Sequence, residues 1–60
     1  MIDKEKFLKI YANIPANIRE EIIVVIDGST FSWNAAYIEV SGDTEIGRKI
    51  LLKMHELGFL

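Results

Sequence analysis

Ile22-Ile23-Val24-Val25-Ile26-Asp27-Gly28-Ser29-Thr30-Phe31-Ser32-Trp33 sets five β-branched aliphatic residues before an Asp-Gly pair and a short second run. Asp-Gly tolerates the positive φ angles that a two-residue turn needs if its twist is to match the flanking strands. Ser32, directly before Trp33, offers a hydroxyl to the free amides of a helix start. The stretch therefore predicts a β-hairpin that passes straight into a helix. With Asp27-Gly28 as the loop, Ile26 faces Ser29, Val25 faces Thr30 and Val24 faces Phe31. Ile22, Val24, Ile26 and Phe31 then share one face, while Ile23, Val25 and Thr30 share the other. A strand aliphatic at every position lacks the alternation of one with a wet side, so both faces call for cover.

Working outward, Asp3 reads as the N-cap of a first helix, with Ile2 and Phe7 at the spacing of a hydrophobic staple. Phe7, Ile10, Tyr11 and Ile14 form one apolar stripe, with Lys6, Lys9 and Asn13 opposite. Pro15 is expected to end this helix, because a residue before proline is pushed out of helical geometry. Residues 16–20 are a connector with room for one helical turn, and the strand is expected over Glu21–Ile26. Past the hairpin, Trp33, Ala36, Tyr37 and Val40 define a second helix that Ser41-Gly42-Asp43 breaks. Asp43 or Thr44 caps a third, whose inward face is Ile46, Ile50, Met54 and Leu57, with Leu51 at the edge. Gly58 suits the left-handed position beyond that helix, and Phe59 can fold back on Met54 to complete a Schellman stop. Gly47 costs up to about 1 kcal/mol relative to alanine in a helix. It is read as marking close packing beneath another element, near Ala36. The expected fold class is α+β, one small domain over 1–60 in the order α-β-β-α-α, with an antiparallel hairpin packed against helices.

Sixty residues bury only about 60% of the surface the unfolded chain exposes, so a core of this size is marginal. The chain has no cysteine and one histidine, which removes disulfides and disfavours a structural zinc site. Oligomerisation or very good helix packing is left to supply stability. Half of the residues are hydrophobic, which argues for a folded domain and against a disordered tail. A net charge of −2 and a pI near 5.2 give no bulk attraction to phosphate backbones or anionic lipid. No apolar run approaches the roughly 20 residues that span a bilayer, and the charged start Met1–Lys6 shows no secretory signal. A cytoplasmic location is expected, and the chain has the look of a short prokaryotic protein.

Chemistry-bearing residues have local explanations. His55 and Glu56 point about 100° apart on a helix and do not form a dyad, whereas His55 near the helix C-terminus suits the dipole. Asp27 belongs to the turn, Asp43 to a cap, Glu45 to a helix N-terminus and Glu39 to solvent, which disfavours a carboxylate metal site. Ser29, Ser32 and Ser41 occupy turn and cap positions. Trp33 and Tyr37, one turn apart, could stack on bases, but without interleaved basic residues they read as core. The expectation is a non-enzymatic chain with no catalytic residue, cofactor, metal or small-molecule ligand.

Two binding readings remain. Arg48, Lys49 and Lys53, set against Glu45 and Glu56, give the third helix a slight basic excess and supply the alternative: a small nucleic-acid-binding regulator. Asn34–Leu57 resembles a helix-turn-helix in outline. The strand followed by two helices resembles the order in ribbon-helix-helix repressors over about the last forty residues. In that family the strands present polar or basic residues to the major groove. Here Ile23 and Val25 are apolar, so no binding residue carries over. The leading expectation is a protein-interaction module that self-associates or docks on a larger protein. Ile38 and Leu52 fall off their helices' apolar stripes, Ile23 and Val25 lie on the strand's second face, and a two-stranded sheet leaves an edge open to another strand. Pairing with a copy across a two-fold would cover that edge. The competing arrangement places the first helix on one sheet face and the other two opposite, covering the strand within one chain.

Overall fold

The computed structural model describes residues 2–60, with Ile2 by its backbone alone. Asp27 and Gly28 take φ of 52° and 83°, the paired positive values of the turn that their sequence favours. They join β1 (Ile22–Ile26) to β2 (Ser29–Ser32) in a two-stranded antiparallel sheet. The register is Ile26 to Ser29, Val25 to Thr30 and Val24 to Phe31, as the loop length dictates. Farther from the turn, Ile22 pairs with Ser32 and Ile23 is an extra residue, a bulge. The bulge changes which side chains face the core. Val24 and Ile26 are buried and Ile23 packs against the core, but Ile22 is 56% exposed and does not share their face.

Helix α1 (Ile2–Ala12) already includes Asp3, which lies in its first turn and is not the N-cap. The proposed staple falls on the Ile2 side chain, outside the described residues. The helix ends three residues before Pro15. Asn13 and Ile14 donate to the carbonyls of Ile10 and Tyr11, tightening the final turn before proline forces the chain away. A short 3-10 turn, Ala16–Ile18, fills the connector.

Helix α2 (Trp33–Ser41) starts where β2 stops, with the Ser32 hydroxyl accepting from the Ala35 amide at 3.1 Å. Asp43, at φ 56°, is the left-handed residue that turns the chain after α2, and Gly42 is not. Thr44 caps α3 (Glu45–Glu56), accepting from the Gly47 amide at 2.9 Å and donating to a Glu39 carboxylate oxygen at 2.7 Å. Glu39 is thus a cap partner and not a free solvent residue. At the far end, Phe59 N–H donates to the Met54 carbonyl and Gly58 N–H to that of His55, while Gly58 sits at φ 87°. Those two bonds are the Schellman pattern. The side chains differ from expectation: Leu57 and Phe59 are exposed, and Leu60 packs against the core.

The core consists of Phe7, Val24, Ile26, Trp33, Ala36, Val40, Ile50 and Met54. Gly47 allows α3 to lie directly on the α2 backbone; a Cβ there would meet the Glu39 carbonyl oxygen at 2.4 Å and Val40 Cα at 3.0 Å. The close approach is to Glu39 and Val40, one turn beyond Ala36. Helix α1 packs chiefly on α2 and α3, so all three helices gather on one side of the hairpin. No described element lies over Val25 and Thr30, which remain exposed. The radius of gyration, 10.3 Å, fits the roughly 10 Å expected for sixty compact residues.

A polar clasp joins α1, the 3-10 connector and α2. Tyr11 Oη donates to Asn34 Oδ1 at 2.7 Å, Asn34 Nδ2 donates to Glu20 at 2.8 Å, and Asn34 N–H donates to the Arg19 carbonyl at 3.0 Å. The Arg19 guanidinium lies 4.4 Å from the Tyr11 ring centre, and Tyr37 stacks on Tyr11 at 4.3 Å. Trp33 is core, as expected; Tyr37 is a partly exposed member of this stack. Lys4 Nζ reaches both Asp43 oxygens, at 2.8 and 3.0 Å, tying α1 to the α2–α3 turn. That hydrogen bond and the charge behind it hold the exposed Asp43 carboxyl below its usual 3.8. The pair's contribution is therefore present above the ordinary carboxylate value and fades as pH falls through the lowered one. Among the described residues no helix is long and apolar enough to cross a membrane.

Candidate interaction surface

A strand paired on one side only must leave half of its backbone groups pointing elsewhere. In a two-residue hairpin the pair beside the turn, Ile26 and Ser29, exchanges hydrogen bonds, and hydrogen-bonded pairs alternate with non-bonded ones. Val25 therefore turns its N–H and C=O away from β2, toward the outer edge. Among the described residues, no backbone group of Ile22–Ile26 bonds to another backbone group outside the hairpin. The Val25 side chain, 54% exposed, stands on the uncovered sheet face.

Beside that edge runs an open groove of about 350 Å³, floored by Val25, Ile26 and Asp27 on the strand side and by Lys49, Leu52, Lys53 and Glu56 on α3. Leu52 is 60% exposed and also borders a smaller hollow of about 190 Å³ with Asp3, Arg48 and Leu51. It stands outside because its neighbours Ile50, Leu51 and Met54 take up the inward and lateral directions of α3. Lys49 Nζ donates to Asp27 at 2.9 Å, which pins the hairpin turn to α3. The bond and the carboxylate's charge raise the Lys49 ammonium above its usual 10.5. Lys53 Nζ lies 3.7 Å from Glu56. The groove's rim thus carries two cations and two carboxylates around an apolar centre.

Of the four side chains expected at an interface, the structure brings two together. Val25 and Leu52 line one groove. Ile38 is 65% exposed on α2 but lines neither hollow, and Ile23 is half-buried against the core, with Ile22 exposed in its place. Sequence reasoning missed the groove because it depends on how α3 lies against β1. The one available signal was Lys49 and Asp27 carrying opposite charges.

Of the alternative basic contact, Lys49 and Lys53 line the same groove and Arg48 lies apart from them. Lys49 and Lys53 each face a carboxylate at the groove, and Arg48 borders the smaller hollow beside Asp3. His55 is exposed at the end of α3, with Nδ1 3.8 Å from Asp3, and lines neither hollow. Among the described residues no three histidine or acidic side chains are grouped to hold a metal ion. No known protein family, curated protein or solved structure matches this chain.

Proposed function

We propose that this chain is a non-enzymatic protein-interaction module that offers the outer edge of β1, with the adjoining α3 groove, to a partner protein. A cytoplasmic setting is part of this reading. The observation that supports it is the coincidence, at Val25, of an unpaired backbone edge with an exposed aliphatic side chain, beside a groove whose α3 wall carries a second exposed aliphatic residue, Leu52. Such an edge attracts a further strand, because main-chain hydrogen bonds supply attachment and flanking apolar side chains exclude water. Both side chains are more than half exposed. Exposed positions usually change stability by no more than about 0.5 kcal/mol.

The test compares the protein with a Val25→Lys/Leu52→Glu variant, both tagged and offered to native cell lysate and to untagged chain. The expected result is a specific partner, itself or another protein, whose affinity falls by about 100-fold or more in the variant. Equal retention by both forms, or retention of no protein by the unaltered chain, would contradict the reading. Unchanged near-ultraviolet dichroism from Trp33 confirms that the variant is folded.

A further inference from the structure

We infer that the occupant of the β1 edge is a second copy of this chain, related by a two-fold axis that passes Val25 and Leu52. This rests on the docking reading above and names its partner. Three features of the groove favour a copy over a foreign segment.

The first is register. The bulge at Ile23 disrupts the N-terminal half of β1 and leaves a regular stretch from Val24 to Ile26. Within that stretch Val25 alone turns its N–H and C=O outward, so an antiparallel copy finds one matching pair, Val25 against itself. That reciprocity is what a two-fold operator demands. The second is charge. Lys49 lies three residues before Leu52 and Glu56 four residues after it, and both line the groove. Two α3 helices crossing antiparallel beside Leu52 set Lys49 of each against Glu56 of the other. A partner of single sign would meet a like charge on the same rim, whereas a copy pairs opposite charges at Lys49 and Glu56. The third is continuity of apolar cover. Val25 and Leu52 line the same groove, so one axis brings both residues to the seam in duplicate and extends two strands to four. The Lys53–Glu56 contact within the chain, at 3.7 Å between exposed groups, is loose enough to yield Glu56 to the copy.

The experiment uses Lys49→Glu and Glu56→Lys as separate full-length variants, alone and mixed. The unaltered protein should sediment at twice its 6.9 kDa chain mass at micromolar concentration. Either variant alone opposes like charges at both ends of the helix crossing and should weaken the dimer by about 10-fold. An equimolar mixture sets Glu against Lys at both ends, so it should recover the dimer, with the mixed species dominant in native mass spectrometry. Variants that dimerise as well as the parent, or a mixture no tighter than its components, would overturn the inference. A monomeric parent that still holds a foreign protein through Val25 and Leu52 would overturn the two-fold and leave the docking reading standing. A monomeric parent that holds nothing would overturn both.

Discussion

Gly47→Ala is expected to destabilise the protein by about 3 kcal/mol, against the gain of up to about 1 kcal/mol that alanine brings to an ordinary helix position. The added Cβ would stand 2.4 Å from the Glu39 carbonyl oxygen and 2.7 Å from its carbon. Both atoms are backbone, held by α2 itself and by the Thr44 amide, which donates to the Glu39 carbonyl at 3.2 Å, so no flexible side chain can swing away. Relief requires α3 to lift from α2, which loosens Val40, Ile50 and Met54 together. For a domain this small, each kcal/mol moves the midpoint by about 4–8 °C, so thermal unfolding should begin at least 12 °C lower. Gly28→Ala is the control. It meets no atom within 4 Å and bears only the cost of its φ of 83°, about 1–2 kcal/mol. Equal or greater stability in Gly47→Ala, read by calorimetry, would show that the two helices do not touch at this point.

Phe7→Ala should have the largest effect of all. Phe7 is fully buried, and it is the residue through which α1 reaches the Trp33 ring, 5.7 Å away between centres. Truncating a buried phenylalanine costs about 3–5 kcal/mol, which equals the total that a core of this size supplies. The variant should therefore be mostly unfolded at 25 °C, with Trp33 fluorescence shifted to that of a solvated indole. Phe7→Leu keeps most of the volume and should remain folded. A native-like Trp33 spectrum in Phe7→Ala would mean that α1 contributes little to the core and that the hairpin with α2 and α3 stands without it.

Gly47 illustrates what the sequence could disclose. It declared a close approach because a glycine inside a helix has a cost that packing must offset, although the wheel pointed to Ala36 and the contact is with Glu39 and Val40. Asp27-Gly28 fixed the register of three strand pairs, since loop length and φ preference leave one solution. Ser32, Thr44 and Gly58 marked helix ends through hydrogen bonds made within a few residues. The failures arise where the decision is not local. Five β-branched residues in a row give no indication of which one will bulge, so Ile22 and Ile23 exchanged roles once the helices were in place. Asp3 and Pro15 were poor markers of α1 because a helix end moves a residue or more at little cost. Leu57 lies at the C-cap, where the helical wheel no longer applies, and Leu60 packs on the core. The Tyr11–Asn34–Glu20 clasp unites residues that no short window contains.

The candidate surface divides in the same way. That β1 would own an open edge and an uncovered second face was legible from its composition and from the count of two strands. That Val25 and Leu52 would meet across one groove, with Asp27 and Lys49 bonded at its end, was not, because it depends on the crossing of α3 beneath the sheet. The three helices gather on one side of the hairpin, and no described element covers the other.

Hydrogen exchange at the Val25 amide reads the state of the β1 edge at one atom, because that N–H has no acceptor among the described residues. Protection comparable to that of the Val24 and Ile26 amides is expected at concentrations where the dimer forms, lost progressively on dilution while those two neighbours remain slow. Exchange at the rate of an unstructured peptide at every concentration, with Val24 and Ile26 still protected, would show that the edge of β1 stays bare in solution.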